Sequence, residues 1–160
     1  EISWLNWDAI DDDGRALIDF TRKLIQTRQR QPLFHRGRFL TGAFNEELGV
    51  KDVTWVDPSG AEMTTDQWND GNARCVGMLL DGRAQVTGIR RKGSDNTLFL
   101  MFNAHHDTVR FVFPDVPRCR VWECLIDTNR PGENRIPLAR KGAHYDMAGR
   151  SLSLWEARQS

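Results

Sequence analysis

The second half of the sequence constrains the fold most, because short apolar runs alternate there with turn residues. Runs of about four to eight residues bounded by Gly, Pro, Asn and Asp are typical of an antiparallel sandwich or barrel. The pattern predicts strands at 75–80, 84–90, 97–103, 108–113, 120–126, 143–147 and 151–156. Asp81-Gly82, between the first two, predicts a hairpin turn. The expected fold class is mainly β, an antiparallel β-sandwich.

Two of these runs indicate where their strands lie in the sandwich. Leu98–Phe102 is apolar at every position, which predicts a central strand covered on both faces. Val109, Phe111 and Phe113 occupy alternate positions, as expected for a strand with one buried face.

One long α-helix is predicted ahead of the strands, at 14–30. The residues of its expected buried face follow i, i+3, i+4 spacing and are Leu17, Phe20, Thr21, Leu24 and Ile25. Asp11–Asp13 precede the helix and offer an N-cap side chain together with negative charge at its positive end. Pro32 lies just beyond the last turn, where a helix cannot readily continue.

Composition restricts the kinds of partner. The chain has 160 residues, of which 39% are hydrophobic and 28% charged, as in a folded single domain. Lys plus Arg and Asp plus Glu number 22 each, so no net field attracts nucleic acid or an anionic membrane. No apolar run approaches the roughly 20 residues that span a bilayer. We therefore expect neither a nucleic-acid partner nor a membrane partner.

The N-terminus and the cysteines indicate the cellular context. Glu1–Trp4 has no Met, basic segment or long apolar segment, so we interpret it as a cut through a longer chain rather than a signal peptide. Cys75, Cys119 and Cys124 are odd in number and lack CxxC spacing. Reduced thiols and a cytoplasmic location are expected.

Several segments resemble one enzyme family when taken in order. Glu1–Trp7 and Leu24–Phe34 are similar to the end of the barrel in bacterial glycogen-debranching and isoamylase-type enzymes of glycoside hydrolase family 13. In those enzymes the segments read close to ISWLxW and LRxxHPxFRRxRF. Further matches are Asp52–Trp55, Pro58–Met63, Trp68, Gly77–Gly82, Leu100–His106, Phe111–Pro114, Trp122, Asp127–Thr128 and Arg150–Leu152. One departure is Gln31, which stands where His is usual.

The resemblance implies three regions. Residues 1–32 correspond to the last strand-to-helix segment of a (β/α)8 TIM barrel, and the helix at 14–30 is part of it. Residues 33–74, which lack sustained periodicity, form an irregular connecting segment. Residues 75–160 form the β-sandwich, an α-amylase-type C-terminal all-β domain.

The resemblance also implies hydrolysis of α-1,6-glucosidic branch links in glycogen or limit dextrins, with retention at the anomeric carbon. That chemistry needs two carboxyl groups roughly 5–5.5 Å apart, which the family places at the C-terminal ends of barrel strands. By the resemblance, this chain begins after those strands. We therefore expect no catalytic residue, no metal and no cofactor in the chain itself.

Four tryptophans are candidate substrate-binding residues. Trp4 and Trp7 correspond to the catalytic face of the barrel, where they either stack on sugar or pack beneath the barrel. Trp55 and Trp68 lie among carboxylates in the irregular segment, a combination that suits either sugar contacts or a domain interface.

Two motifs contain side chains that can bind metal ions. Asp11–Gly14 does not fit a calcium loop, because an EF-hand count with Gly14 at its sixth position puts Ala9 at the first. His105 and His106 are neighbours, and on a strand they would point to opposite sides. A shared ion is therefore not expected, and a surface or turn position is favoured for both residues.

Three functions remain open from the sequence. The first is the C-terminal part of a debranching hydrolase, which has the barrel of the same polypeptide as its partner and α-glucan as the substrate of the whole enzyme. The second is an autonomous α-glucan-binding module. The third is a structural domain without a ligand. Exposed tryptophans would favour the module, whereas buried Trp122 and Trp155 would favour a structural domain. The apolar face of the helix at 14–30 also predicts dimers of the isolated chain.

Overall fold

The computed structural model describes residues 7–35, 39–47, 49–84, 96–117, 119–133 and 137–158. Its α-helices are α1 (Asp12–Arg30) and α2 (Thr65–Asn69), and its 3-10 helices are Trp7–Ala9, Pro32–Phe34 and Gly82–Ala84. Its strands are β1 (Phe44–Asn45), β2 (Val50–Lys51), β3 (Val53–Val56), β4 (Cys75–Asp81), β5 (Thr97–Asn103), β6 (Val109–Val112), β7 (Val121–Asp127), β8 (Leu138–Arg140), β9 (His144–Met147) and β10 (Ser151–Arg158). Neither described α-helix is long and apolar enough to cross a membrane.

The strands form one large antiparallel sheet and two small ones. The large sheet has the order β3-β4-β5-β10-β7-β8, and β6-β9 and β1-β2 are two-stranded. One core cluster contains side chains from both the large sheet and the β6-β9 sheet. The fold is therefore mainly β, with two layers preceded by one long helix, as predicted.

Aromatic rings fill the core between the two layers. Trp122 and Trp155 are 0% and 1% exposed, and Phe113 contacts both rings. Gly77 lies beneath this core, where an added Cβ would come within 2.7 Å of the Phe99 ring and 2.6 Å of Val56. A side chain at this position of β4 would therefore displace the packed ring above it.

The opposite face of the large sheet is only partly covered. Val53, Leu80 and Leu98 occupy one cross-strand row, and all three are buried in a second cluster with Leu33. The neighbouring row is Trp55, Met78 and Leu100, and its side chains are half-buried. Coverage of this outer face therefore decreases from one row to the next.

The helix forms as the sequence predicts. Asp11 is the N-cap, and its side chain accepts a hydrogen bond from the Gly14 amide at 2.8 Å. The helix ends at Arg30, and Pro32 begins a 3-10 turn. Capping and proline chemistry, which depend only on local sequence, set both ends.

Most predicted strands are present, and the main error concerns β4. Its neighbours are β3 and β5, so the predicted hairpin at Asp81-Gly82 is wrong. Instead Gly82 begins a 3-10 turn, and the Asp81 side chain accepts from the Arg83 amide. The strand predicted at 84–90 lies outside the described residues except for Ala84, which belongs to that turn.

The stretch predicted as irregular, 33–74, contains short elements. β3 forms an edge of the large sheet, and α2 begins with a capping box between Thr64 and Gln67. Each element is too short to show a period in the sequence. The division of the chain at 32 and 74 stays a prediction.

Candidate functional site

A stripe of exposed apolar side chains lies on α1. Leu17, Leu24 and Ile25 are 65%, 41% and 52% exposed, and Ile18 is 40% exposed. Phe20, at the edge of this stripe, packs against the buried cluster beneath the outer face. The helix therefore contacts the sandwich with one edge of its apolar stripe and turns the rest away.

A different side of α1 faces the large sheet and is polar. Lys23, Thr27 and Arg30 line a cleft of about 470 Å³ together with charged residues of β7 and β10. A helix usually turns its apolar stripe toward the core. Since α1 does not, its stripe is available to another partner.

The same cleft contains a pair of carboxylates. Glu123 and Glu156 lie opposite each other on β7 and β10. Arg158 forms an ion pair with Glu123 and a second, at 3.1 Å, with Glu156. The hydrogen bond to Glu123 is the main cause that raises the pKa of Arg158, and the charges of Glu156 and Glu123 add to it. One arginine therefore bridges the two carboxylates.

Two of the four candidate tryptophans meet at the edge of the outer face. The rings of Trp55 and Trp68 have centroids 5.7 Å apart and planes at 81°. Trp68 is 54% exposed, whereas Trp55 is half-buried beside Met78 and Leu100. Because the rings are nearly perpendicular, they do not form one flat platform for a sugar.

The other two candidates are not brought to this place by any described contact. Trp7 is 70% exposed in the first 3-10 helix. Trp4 lies outside the described residues. The structure thus brings together Trp55 and Trp68 only.

A carboxylate fixes the loop between Trp55 and Trp68. Asp57 accepts hydrogen bonds from Ser59 and, at 2.7 Å, from the Gln67 side chain. Burial raises the pKa of Asp57, but these hydrogen bonds outweigh it and hold the pKa below the ordinary 3.8. The charged form of Asp57 therefore joins α2 to the end of β3.

The turn after β5 differs from the sequence prediction. β5 ends at Asn103, so His105 and His106 lie in a bend rather than on a strand. Their rings stack with centroids 4.2 Å apart instead of pointing to opposite sides. The expected opposite directions of the two rings were wrong, because β5 ends before them, whereas the turn position expected for both residues is present.

Asn103 organises this turn and was not identified from the sequence. It is 2% exposed, and its side-chain nitrogen donates to the backbone oxygens of Asp107, Met147 and Ala148 at 2.9–3.1 Å. Its side-chain oxygen accepts from the His105 amide at 2.9 Å. The sequence signal is an Asn directly after the apolar run Leu98–Phe102, since Met147 and Ala148 are more than 40 positions away along the chain.

A second cavity, of about 500 Å³, opens between this turn and the loop around α2. Its lining includes Asp57, Gln67, Cys75, His105 and Asp107. The cavity is therefore lined by several polar groups.

Comparison with known proteins gives the family. Residues 52–156 match the model of the isoamylase C-terminal family. The glycogen operon protein GlgX homolog of Mycobacterium tuberculosis is 36% identical over 82% of this chain and 18% of that protein. The isoamylase of Pseudomonas amyloderamosa is 22% identical over 95% of this chain and 19% of that protein. The glycogen debranching enzyme of an Enterobacter species is 32% identical over 71% of this chain and 14% of that protein. The chain thus spans less than a fifth of the length of these relatives. It belongs to the isoamylase C-terminal family and is similar to the C-terminal region of bacterial debranching enzymes.

Proposed function

We propose that the chain is the non-catalytic C-terminal part of a retaining hydrolase that cleaves α-1,6-glucosidic branch links in glycogen or limit dextrins. The similar proteins include an isoamylase and a glycogen debranching enzyme, both several times longer than this chain. The catalytic carboxylates belong to a barrel in the same polypeptide, and the sandwich supports that barrel.

The observation that carries this proposal is the exposed stripe of α1. Fully burying a Leu or Ile side chain stabilises a protein by about 1.5–3 kcal/mol relative to leaving it exposed. Leu17, Leu24 and Ile25 are about half or more exposed, so covering all three contributes several kcal/mol. The barrel covers this stripe together with the half-buried row of the outer face.

The arginine-bridged carboxylates support a non-catalytic role. A retaining glycosidase needs one carboxyl group that can carry a proton to the leaving oxygen. Glu123 and Glu156 instead both form ion pairs with Arg158, so the two carboxylates are engaged in a contact between strands. Their role is to join β7 to β10.

The thiols fit a reduced, cytoplasmic location, which is part of the proposal. Cys75, Cys119 and Cys124 are free. Burial raises the pKa of each thiol, for Cys124 to about 12. Because the thiolate is the reactive form, these residues serve packing rather than chemistry.

A second candidate is an autonomous α-glucan-binding module, favoured by the exposure of Trp68. Titration of the chain with a branched limit dextrin and a linear maltooligosaccharide, followed by heat and tryptophan fluorescence, tests it. Saturable binding that is lost in Trp68→Ala would support the module. If neither heat nor fluorescence changes at millimolar sugar, the structural role is the one that remains.

The test of the main proposal compares Leu24→Glu with Gln26→Glu, which places the same charge on the polar side of α1. In the isolated chain both variants should leave thermal stability nearly unchanged, because both side chains are exposed. In the protein extended upstream through the barrel, Leu24→Glu should lower thermal stability and debranching of limit dextrin, whereas Gln26→Glu should not.

Equal behaviour of the two variants in the extended protein would contradict the proposal. Light scattering of the isolated chain provides a second readout. Dimers that form at high concentration and are lost in Leu24→Glu would identify the same stripe as the dimer interface of the isolated chain.

A further inference from the structure

Three Asp-Gly dipeptides occur in the sequence, at Asp13-Gly14, Asp70-Gly71 and Asp81-Gly82. Glycine has no Cβ, so the amide nitrogen that follows each of these aspartates is less shielded than it would be in a bulkier residue. Such a nitrogen can attack the carboxyl carbon of the aspartate before it and close a five-membered ring. The fold decides which of the three dipeptides is free to react.

Two of the dipeptides are held in place by the fold. The Gly14 amide donates to Asp11 Oδ1 at 2.8 Å in the first turn of α1. The Gly82 amide donates to the Asn96 carbonyl at 2.9 Å, and Asp81 is only 4% exposed at the end of β4. In both places the nitrogen already has an acceptor, and turning the peptide would disrupt a helix end or a strand end.

The third dipeptide, Asp70-Gly71, is exposed. Both residues lie in the turn between α2 and β4. Within the described part of the chain, the Gly71 amide has no hydrogen-bond acceptor. A Cβ added to Gly71 would meet no atom within 4 Å. This nitrogen is therefore unbonded and has open space around it.

We propose that Asp70 is a site of spontaneous isomerisation to isoaspartate. The Gly71 nitrogen forms a bond to Asp70 Cγ and gives up its proton, and one carboxyl oxygen leaves as water. Water then opens the resulting succinimide. Opening at the backbone carbonyl carbon leaves the chain running through Cγ, with the former backbone carbonyl as the free carboxylate. One water is lost and one is gained, so the mass is unchanged and no oxidant or reductant is needed.

Ring closure requires a rotation that this turn permits. The ψ of Asp70 is 105°, which holds the Gly71 nitrogen away from the side-chain carboxyl carbon, so the peptide between them must turn. That rotation breaks the hydrogen bonds that Asp70 accepts from the Asn72 and Ala73 amides. Both bonds lie in an exposed turn outside any helix or strand, where water can replace them. Such segments open at a small free-energy cost.

The product changes the end of α2. One extra methylene enters the backbone, and the carboxylate becomes attached directly to Cα. Asp70 is the C-cap residue of α2 and lines the 500 Å³ cavity, so isomerisation alters both the helix end and the polar lining of the cavity. This chemistry does not depend on the proposed function.

The experiment is incubation of the folded 160-residue chain at physiological temperature and pH over several weeks, followed by proteolysis and mass-spectrometric separation of the isomeric peptides. Isoaspartate should accumulate in the peptide that contains Asp70 and stay at background in those that contain Asp13 and Asp81. In concentrated urea, where the fold no longer protects them, all three peptides should convert.

Two variants test the assignment of the attacking and attacked atoms. Gly71→Val shields the nitrogen, and Gly71 has no positive φ that valine would strain. Asp70→Glu would need a less favourable six-membered ring. Both variants should lose most of the product while circular dichroism shows them folded as the wild type is.

The proposal is overturned if the Asp70 peptide of the folded chain stays at background. It also fails if Asp13 or Asp81 converts as fast as Asp70 in the folded chain. Undiminished product at Asp70 in folded Gly71→Val would contradict it as well, because the reaction would then not depend on access to that nitrogen.

Discussion

The two core tryptophans should respond differently to the same substitution. Trp122 and Trp155 are 0% and 1% exposed. Trp155 Nε1 donates to Ser153 Oγ at 2.9 Å, whereas Trp122 Nε1 finds no hydrogen-bond partner within the described part of the chain. Changing each to Phe removes an indole N–H that is bonded in one case and unbonded in the other.

The difference in unfolding free energy between the two variants follows from the different bonding of the two N–H groups. Each ring contacts two aromatic neighbours, one of them Phe113 in both cases, so the loss of ring volume largely cancels in the comparison. Losing a hydrogen bond costs about 0.5–1.5 kcal/mol, and removing a buried unpaired donor regains about 1–3 kcal/mol. Trp155→Phe should therefore be less stable than Trp122→Phe by about 2–4 kcal/mol.

Urea unfolding followed by far-UV circular dichroism measures this difference without relying on tryptophan fluorescence. With a denaturant slope near 2 kcal/mol per molar, the two midpoints should differ by roughly 1–2 M. Equal midpoints, or a lower midpoint for Trp122→Phe, would refute the reasoning. Trp122 Nε1 would then have a partner, such as a buried water.

Three further predictions concern stability. Gly77→Ala should destabilise the chain by about 1–3 kcal/mol, because the new methyl overlaps the Phe99 ring; Gly71→Ala, which meets no atom within 4 Å, is the control, and thermal unfolding compares them. Asn103→Ala should cost about 2 kcal/mol or more, because it leaves backbone oxygens of the turn without a donor; an unchanged melting temperature would contradict this. Asp57→Asn should be less stable than the wild type above about pH 4, where the carboxylate is charged in both folded and unfolded chains. Because the folded pKa lies below 3.8, the difference should shrink as the pH falls through that lowered pKa, and urea midpoints at several pH values measure it.

The large sheet was predictable where a strand is long and apolar. Leu98–Phe102 becomes the central β5, as five consecutive apolar residues predict, although Leu100 and Phe102 are only half-buried. β3 was not found, because Val53–Val56 has only four residues between two aspartates. β8 has three residues and mainly exposed side chains. Both lie at the edges of the sheet, where burial leaves the weakest pattern in the sequence.

Pairing and side-chain direction were less predictable than strand positions. Asp81-Gly82 fits a hairpin locally, yet the two neighbours of β4 are β3 and β5. His105 and His106 lie beyond the predicted strand 97–103, and the direction of their rings depends on a bend that Asn103 fixes through its bonds to both ends. The same side chain also binds Met147 and Ala148, more than 40 positions away. No local pattern contains that information.

The helix shows the limit of periodicity most clearly. The spacing of Leu17, Phe20 and Leu24 predicts an apolar stripe, but it does not say what covers it. In the structure only the edge at Phe20 reaches the sandwich. The proposed partner is a barrel in the same polypeptide, and a second copy of the chain is the alternative. A linked segment acts at an effective concentration of about millimolar, far above the concentration of a second copy at ordinary protein levels. If upstream sequence supplies a complementary apolar surface, that linked surface therefore covers the stripe in preference to a second copy. Dimers are then confined to the isolated chain.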